Sequence, residues 1–384
     1  MFQASAAVRR LGGGQRARQL IAKPKDLIDL SVGDPDFGSP ADVREAGKAA
    51  IDQGYVYYAP AMGDPELRQA VAEYLSESSG RSFQSGEIFV AHGGTAAIYA
   101  VMAAYLDPGD EVLLTDPALS LYTQAAEQIG ARSVMVPTDR DFHPNLAALE
   151  RAVTPKSRLL VLVNPANPTG AVCTREEMDQ LVQFVRRHNL LLVSDETYDH
   201  ILYDGRRHVS AAEYEEIADR VILLNTVSKT FAMTGWRIGY LAGREDLIQG
   251  PALIHRASIG PINSVAQRAA WWAYSHTIRG PWRESMLAEL TRRRDLMLDL
   301  VNETPGLACR APEGGIFLFV KVTTTLSSED FELACLRRGV GVRSGTEFGS
   351  RGEGYVRLST ASHPSLYAEG VRRIGEAVAA ASSK

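Results

Sequence analysis

Between about residues 87 and 240 short apolar runs alternate with helix-like stretches, and nothing else in the chain limits its fold as tightly. Glu87–Ala91, Glu111–Thr115, Ser133–Val136, Leu159–Val163, Leu190–Ser194 and Val221–Leu224 read as strands. Several are apolar at consecutive rather than alternate positions, the pattern of strands covered on both faces. Between two of them lies TREEMDQLVQFVRRHN, where Thr174 and Glu177 have capping-box spacing and Met178, Leu181, Val182 and Val185 mark one helical face. Repeated strand–helix–strand units predict an α/β fold: a mostly parallel central sheet, covered by helices and joined by right-handed crossovers.

Beyond about residue 285 the texture changes. A long charged helix (Glu284 to Glu303) precedes an apolar stretch at Gly315–Val322, a helix near Ser328–Arg338, the strand Tyr355–Ser359 and a final amphipathic helix. These predict a smaller α+β domain. The first forty-odd residues lack a sheet core of their own and are expected to join it. The expected division is therefore a large domain over 48–285 and a small one from 1–47 plus 286–384, within the range for 384 residues.

Composition excludes several classes. Forty-one Lys and Arg against 46 Asp and Glu give a net charge of −5, without the basic excess expected of a nucleic-acid binder. Cys173, Cys309 and Cys335 are too few and too scattered for a disulfide framework or a zinc site, so no metal is expected. The longest apolar run, Ala96 to Leu106, is too short to span a bilayer, and the N-terminus lacks the apolar stretch of a secretory signal. A reducing, cytoplasmic setting is the expectation, with no membrane partner.

In open α/β sheets ligands bind beyond the carboxyl ends of the strands, and polar residues gather there in this chain. After Glu87–Ala91 comes His92-Gly93-Gly94-Thr95 at a helix start, where backbone N–H groups and the helix dipole suit an anion. After Leu159–Val163 comes NPANPTG, a forced turn that carries Asn167. After Leu190–Ser194 comes Asp195, an acid that is costly at a buried strand end unless it meets a cation. After Val221–Leu224 comes a stretch of small and apolar residues with Lys229 and Arg237 eight apart.

The string SKTFAMTGWRIGY, with NPANPTG and SDETY upstream and YVRLSTA downstream, resembles the class I/II pyridoxal-phosphate aminotransferases of fold type I. The resemblance covers nearly the whole chain, since VGDPDF, YAPAMGDPELR, GGT and EGGIFLF also fall in that family's order. It implies a pyridoxal 5'-phosphate enzyme that moves an amino group between an L-amino acid and a 2-oxo acid. Lys229 matches the Schiff-base lysine, which burial in a cationic pocket keeps reactive. Asp195 matches the acid that pairs with the cofactor's pyridine nitrogen. Tyr198 and Asn167 match the two groups that hydrogen-bond its ring oxygen. Gly93, Gly94, Thr95, Thr226, Ser228 and Arg237 match the phosphate site. Tyr58 matches a tyrosine that reaches the partner subunit's phosphate, which implies a homodimer. Arg357, with Gly33 and Asn167, matches the site for the substrate's α-carboxylate. The alternation of Tyr355–Ser359 independently turns Arg357 away from an apolar face.

Two departures bear on the chemistry. Leu119 stands where the family usually has an aromatic stacked on the cofactor ring, and Tyr122 is the nearby aromatic that could compensate. Thr95 stands where one aspartate-specific subgroup has a lysine. No side-chain signature names the amino donor. The same Lys229–Asp195 pair could also serve elimination, replacement or cyclisation of an amino acid, so that alternative stays open.

Overall fold

A computed structural model of the chain describes residues 3–11, 24 and 26–382. In chain order the strands are β1 (Ile28–Asp29), β2 (Ile88–Ala91), β3 (Glu111–Asp116), β4 (Arg132–Pro137), β5 (Ser157–Val163), β6 (Leu191–Asp195) and β7 (Val221–Thr226). They continue with β8 (Gly239–Ala242), β9 (Leu307–Ala308), β10 (Phe317–Val322), β11 (Val340–Gly341), β12 (Arg343–Ser344) and β13 (Tyr355–Ser359).

Seven of these form one sheet in the order β2-β8-β7-β6-β5-β3-β4. The pairs from β7 through β6, β5 and β3 to β4 are parallel, whereas β8 runs antiparallel to both β2 and β7. All six expected strands are present, within a residue or two at each end. The seventh, β8, has the sequence GYLA and directly follows the Arg237 segment, too short to stand out as a separate run.

Every residue of β2 and β7 is buried, as consecutive apolar residues require of a sheet covered on both faces. Two apolar layers flank the sheet. Leu113, Leu160, Leu162 and Leu192 belong to one, and Val112, Leu114, Val161 and Val193 belong to the other. The helix Arg175–Arg187 shows how the sequence sets this up. Thr174 and Glu177 form the reciprocal capping box, and Met178, Leu181, Val182, Phe184 and Val185 are its buried residues.

A second, four-stranded antiparallel sheet has the order β12-β13-β10-β9, and β1 pairs in parallel with β11 beside it. Ile28 and Leu30 share a core with Met297, Leu318, Val320, Val356, Leu358 and Ile374. The early residues thus close onto the C-terminal part of the chain. The helix Ala41–Asp52 instead packs on the helix Ser264–Ser275, and the helix Trp282–Glu303 runs unbroken through residue 285. Among the described residues no helix is long and apolar enough to cross a membrane.

Candidate active site

The antiparallel turn of β8 decides where the site can form. Because β8 runs backwards, its first residue, Gly239, lies opposite both Thr226 and Ala91, the last residues of β7 and β2. Arg237, just before β8, therefore lands at the carboxyl edge of the parallel strands. Gly93 adopts φ 72°, and a β-carbon there would sit 2.5 Å from Nη2 of Arg237. On Gly94 a β-carbon would lie 3.0 Å from Cγ2 of Thr226. Only residues without a side chain let the backbone approach this closely. The Thr226 hydroxyl accepts the N–H of Ser228 at 3.1 Å, so Thr226 caps the short helix Val227–Thr230. Thr95 is exposed in the first turn of the helix Gly93–Tyr105. Backbone N–H groups, hydroxyls and a guanidinium meet here, which is the chemistry of an anion cup.

Asp195 is the last residue of β6, one place earlier relative to the strand than the sequence implies, and is only 3% exposed. Its Oδ1 accepts from the Thr197 N–H at 3.1 Å and the Thr197 hydroxyl at 2.6 Å, and its Oδ2 accepts from the Tyr122 hydroxyl at 2.9 Å. Burial pushes its pKa up against the pull of those hydrogen bonds, with a net rise. Leu119 sits just ahead of the helix Ser120–Ile129, packed beside the layer that contains Ala118 and Tyr122. Tyr122 has a task other than covering for Leu119. Its hydroxyl is committed to the acid.

Lys229 donates from Nζ to the Gly33 carbonyl. Burial lowers its pKa to about 8. The Asp34 carboxylate opposes that shift, while Arg357 and Arg237 reinforce it. Arg357 is itself buried. Its Nη1 donates to Asn167 Oδ1 at 2.9 Å and its Nη2 to the Ser31 carbonyl at 2.8 Å. The guanidinium lies 3.9 Å from the ring centre of Phe317 and 4.8 Å from that of Phe348. Tyr198 is buried edge-on to Phe317, and burial raises its phenol pKa.

Gly33, Tyr198 and Arg357 thus meet around Phe317, with Lys229 bonded to Gly33 and Asn167 to Arg357, and the anion cup and Asp195 lie along the same sheet edge. Tyr58 is not among them: it is 92% exposed on this chain, next to Tyr57 and Val56, which are also exposed. Trp236 donates to the Ser39 hydroxyl and fills the space beside Gly47. Phe348, Ser31, Thr197 and Asp116 escaped sequence reasoning. The Asp116 carboxylate accepts from the Ser350 hydroxyl at 2.7 Å and the Arg351 N–H at 3.1 Å, while Ala118 N–H donates to the Phe348 carbonyl at 2.8 Å. These bonds tie the Leu119 loop to the segment that places Phe348 over Arg357.

The model of the family "Aminotransferase class I and II" matches residues 25–374. The chain belongs to that family. It is 36% identical to the aspartate aminotransferase of Pyrococcus abyssi over 89% of each chain. It is 34% identical to the arginine–pyruvate transaminase of Pseudomonas aeruginosa, covering 94% of this chain and 92% of that one. The crystal structure of the aromatic aminotransferase from Pyrococcus horikoshii OT3 superposes with a TM-score of 0.89 at 35% identity, over 98% of this chain and 99% of that one. This aminotransferase has the fold type I architecture and uses pyridoxal 5'-phosphate to move an amino group between an amino acid and a 2-oxo acid. Transamination is thereby favoured over elimination, replacement or cyclisation. The residues present fit the cofactor: a glycine cup backed by Arg237, a buried acid at the end of β6, next to β7, and an amine of lowered pKa beside Gly33 with Arg237 and Arg357 in its field.

Proposed function

We propose that Lys229 is the catalytic amine of an L-amino acid transaminase, with Asp195 and Tyr198 as its partners in catalysis. The observation that carries this is the Lys229 amine, half-buried at the strand edge, donating to the Gly33 carbonyl and held near pKa 8 by desolvation and by Arg237 and Arg357. The cofactor, when bound, supplies the carbonyl that takes up the amino group and a ring that draws electrons away from the substrate's α-carbon. Lys229 Nζ takes the proton from that carbon and returns it on the other side of the exchange. Asp195 keeps a negative charge on Oδ2 and Oδ1, steadied by Tyr122 and Thr197, to hold the ring nitrogen's proton. Asn167 and Tyr198 offer hydrogen bonds to the ring oxygen, and Leu119 gives an apolar cover for the ring. Gly93, Gly94, Thr95, Thr226, Ser228 and Arg237 hold the phosphate. Arg357 receives the substrate α-carboxylate as a fork, oriented by Asn167 and by the two aromatic rings that flank it, with the Gly33 backbone alongside.

Tyr58 completes the phosphate site of a second copy, which makes the enzyme a homodimer; its exposure, with that of Tyr57 and Val56, supports this. A large domain over 48–285 and a small one from 1–47 and 286–384 divide the chain, with the helices Ala41–Asp52 and Trp282–Glu303 each running across a boundary. The enzyme works in the cytoplasm, in amino-acid biosynthesis.

Lys229→Ala tests the central assignment. Turnover is expected to be lost, while the cofactor still binds without a covalent link and is released by dialysis. Full turnover in that variant would overturn the assignment.

A further inference from the structure

His255 has no part in the chemistry described above, yet it sits directly behind the anion cup. It lies in the last turn of the helix Glu245–Ser258, which packs along the helix Gly93–Tyr105, and it is 2% exposed. The backbone N–H of His92 donates to its Nε2 at 3.0 Å. A ring nitrogen that accepts carries no proton, so the proton of a neutral His255 is on Nδ1. Phe89, in β2, meets the imidazole edge to face at 5.2 Å and holds its plane. Burial, helped by the neighbouring His92, keeps the ring pKa down at about 4, so it stays an acceptor throughout the neutral range.

We propose that His255 is a positioning residue for the cofactor's phosphate, acting through its hydrogen bond from His92 to set the entry of the Gly93–Thr95 turn. His92 is the residue between the end of β2 and Gly93, so its peptide fixes the direction in which the chain enters the helix. The space at that point has little slack. The α-carbon of Gly93 backs onto the Arg237 guanidinium, and a β-carbon on Gly239 would stand 2.9 Å from the Gly93 carbonyl carbon. With the His92 N–H drawn away to His255, the first-turn N–H groups of the helix, which have no intrahelical partner, are left for an anion. Removing the acceptor leaves a backbone N–H without its partner at the one joint where a small rotation displaces the whole cup.

This rests on the proposed phosphate site, so the test separates the two. The purified enzyme is stripped of cofactor and titrated with pyridoxal 5'-phosphate and, in parallel, with pyridoxal, which lacks the phosphate; binding is read by absorbance. Arg237→Leu reports on the cup itself and is expected to weaken pyridoxal 5'-phosphate binding while sparing pyridoxal. His255→Leu is expected to show the same selectivity, with Kd for pyridoxal 5'-phosphate raised roughly tenfold. His255→Gln, whose Oε1 can accept in place of Nε2, is expected to recover most of the loss. Equal weakening of both ligands in His255→Leu, or a lowered melting temperature with both affinities unchanged, would overturn the proposal and leave His255 a packing residue. If Arg237→Leu fails to distinguish the ligands, the phosphate site is wrongly placed and the role of His255 falls with it.

Discussion

The protonation of Lys229 can be followed directly by changing pH. Burial brings its pKa from the ordinary 10.5 to about 8. At pH 7 about one molecule in ten then holds the free amine, against roughly one in three thousand for an unperturbed lysine, a gain of about 300-fold. The cofactor's carbonyl reacts only with the free amine, so the rate at which stripped enzyme recaptures cofactor should rise tenfold per pH step below 8 and level off above it. Stopped-flow absorbance across pH 6 to 10 measures this. Neighbouring charges give the sign of two further shifts. Asp34 favours the ammonium form, so Asp34→Asn should move the midpoint below 8, whereas Arg357 disfavours it, so Arg357→Ala should move it above. Linkage fixes the stability trend as well. The folded pKa lies below the unfolded one, so the stripped protein should gain stability as pH rises from about 8 to above 10, and lose it as pH falls back through 8. A recapture rate still climbing at pH 10, or both variants shifting the midpoint the same way, would refute the claim that desolvation and these two charges set the lysine's reactivity.

Three other outcomes follow from single contacts. Tyr122→Phe keeps the buried ring but removes one of the three donors on Asp195; a hydrogen bond to a charged group is worth about 1.5–3 kcal/mol, so kcat should fall about ten- to hundredfold in single-turnover assays while the fold survives. Arg357→Ala removes the cation between Phe317 and Phe348 and should raise KM for amino acids by at least about 30-fold with a smaller effect on kcat; an unchanged KM means that the carboxylate is held elsewhere. Tyr58→Phe should weaken cofactor binding and leave the monomer's melting behaviour alone, because the hydroxyl is fully available on the isolated chain; unaltered cofactor affinity would remove Tyr58 from the site.

The large sheet was legible because its strands are short, apolar at consecutive positions and separated by helices with clear caps. Burial on both faces leaves that pattern in the residues themselves, as β2 and β7 show. Lys229, Asp195 and Asn167 were legible for a related reason. Each follows or ends a parallel strand, and the topology sends every such end to one edge. The antiparallel β8 was not. GYLA is four residues long, and its direction depends on pairing with β2 and β7, which no local pattern records.

The setting of Arg357 shows where local reading stops. Alternation in β13 turns the residue away from the apolar core, and a cation facing away from a core would ordinarily meet water. Here it is buried, because Ser31 lies 326 positions upstream and Asn167 lies 190, and both accept from it, while Phe348 comes from a turn held by Asp116 in the other sheet. Gly349, at φ 135°, lets that turn approach: a β-carbon there would lie 2.1 Å from Asp116 Oδ1. Asn167 aside, none of these partners announces itself, since a serine carbonyl, a strand-end aspartate and a phenylalanine are ordinary residues until the chain is folded. Tyr122 and His255 belong to the same class. Their roles come from one atom each, the Tyr122 hydroxyl that donates to Asp195 and the His255 Nε2 that accepts from the His92 N–H, placed by helices that pack for apolar reasons. The residues proposed to touch substrate and cofactor are readable because the chemistry restricts them to a few side-chain types. Those that aim them are chosen by distance and direction, which exist only in three dimensions.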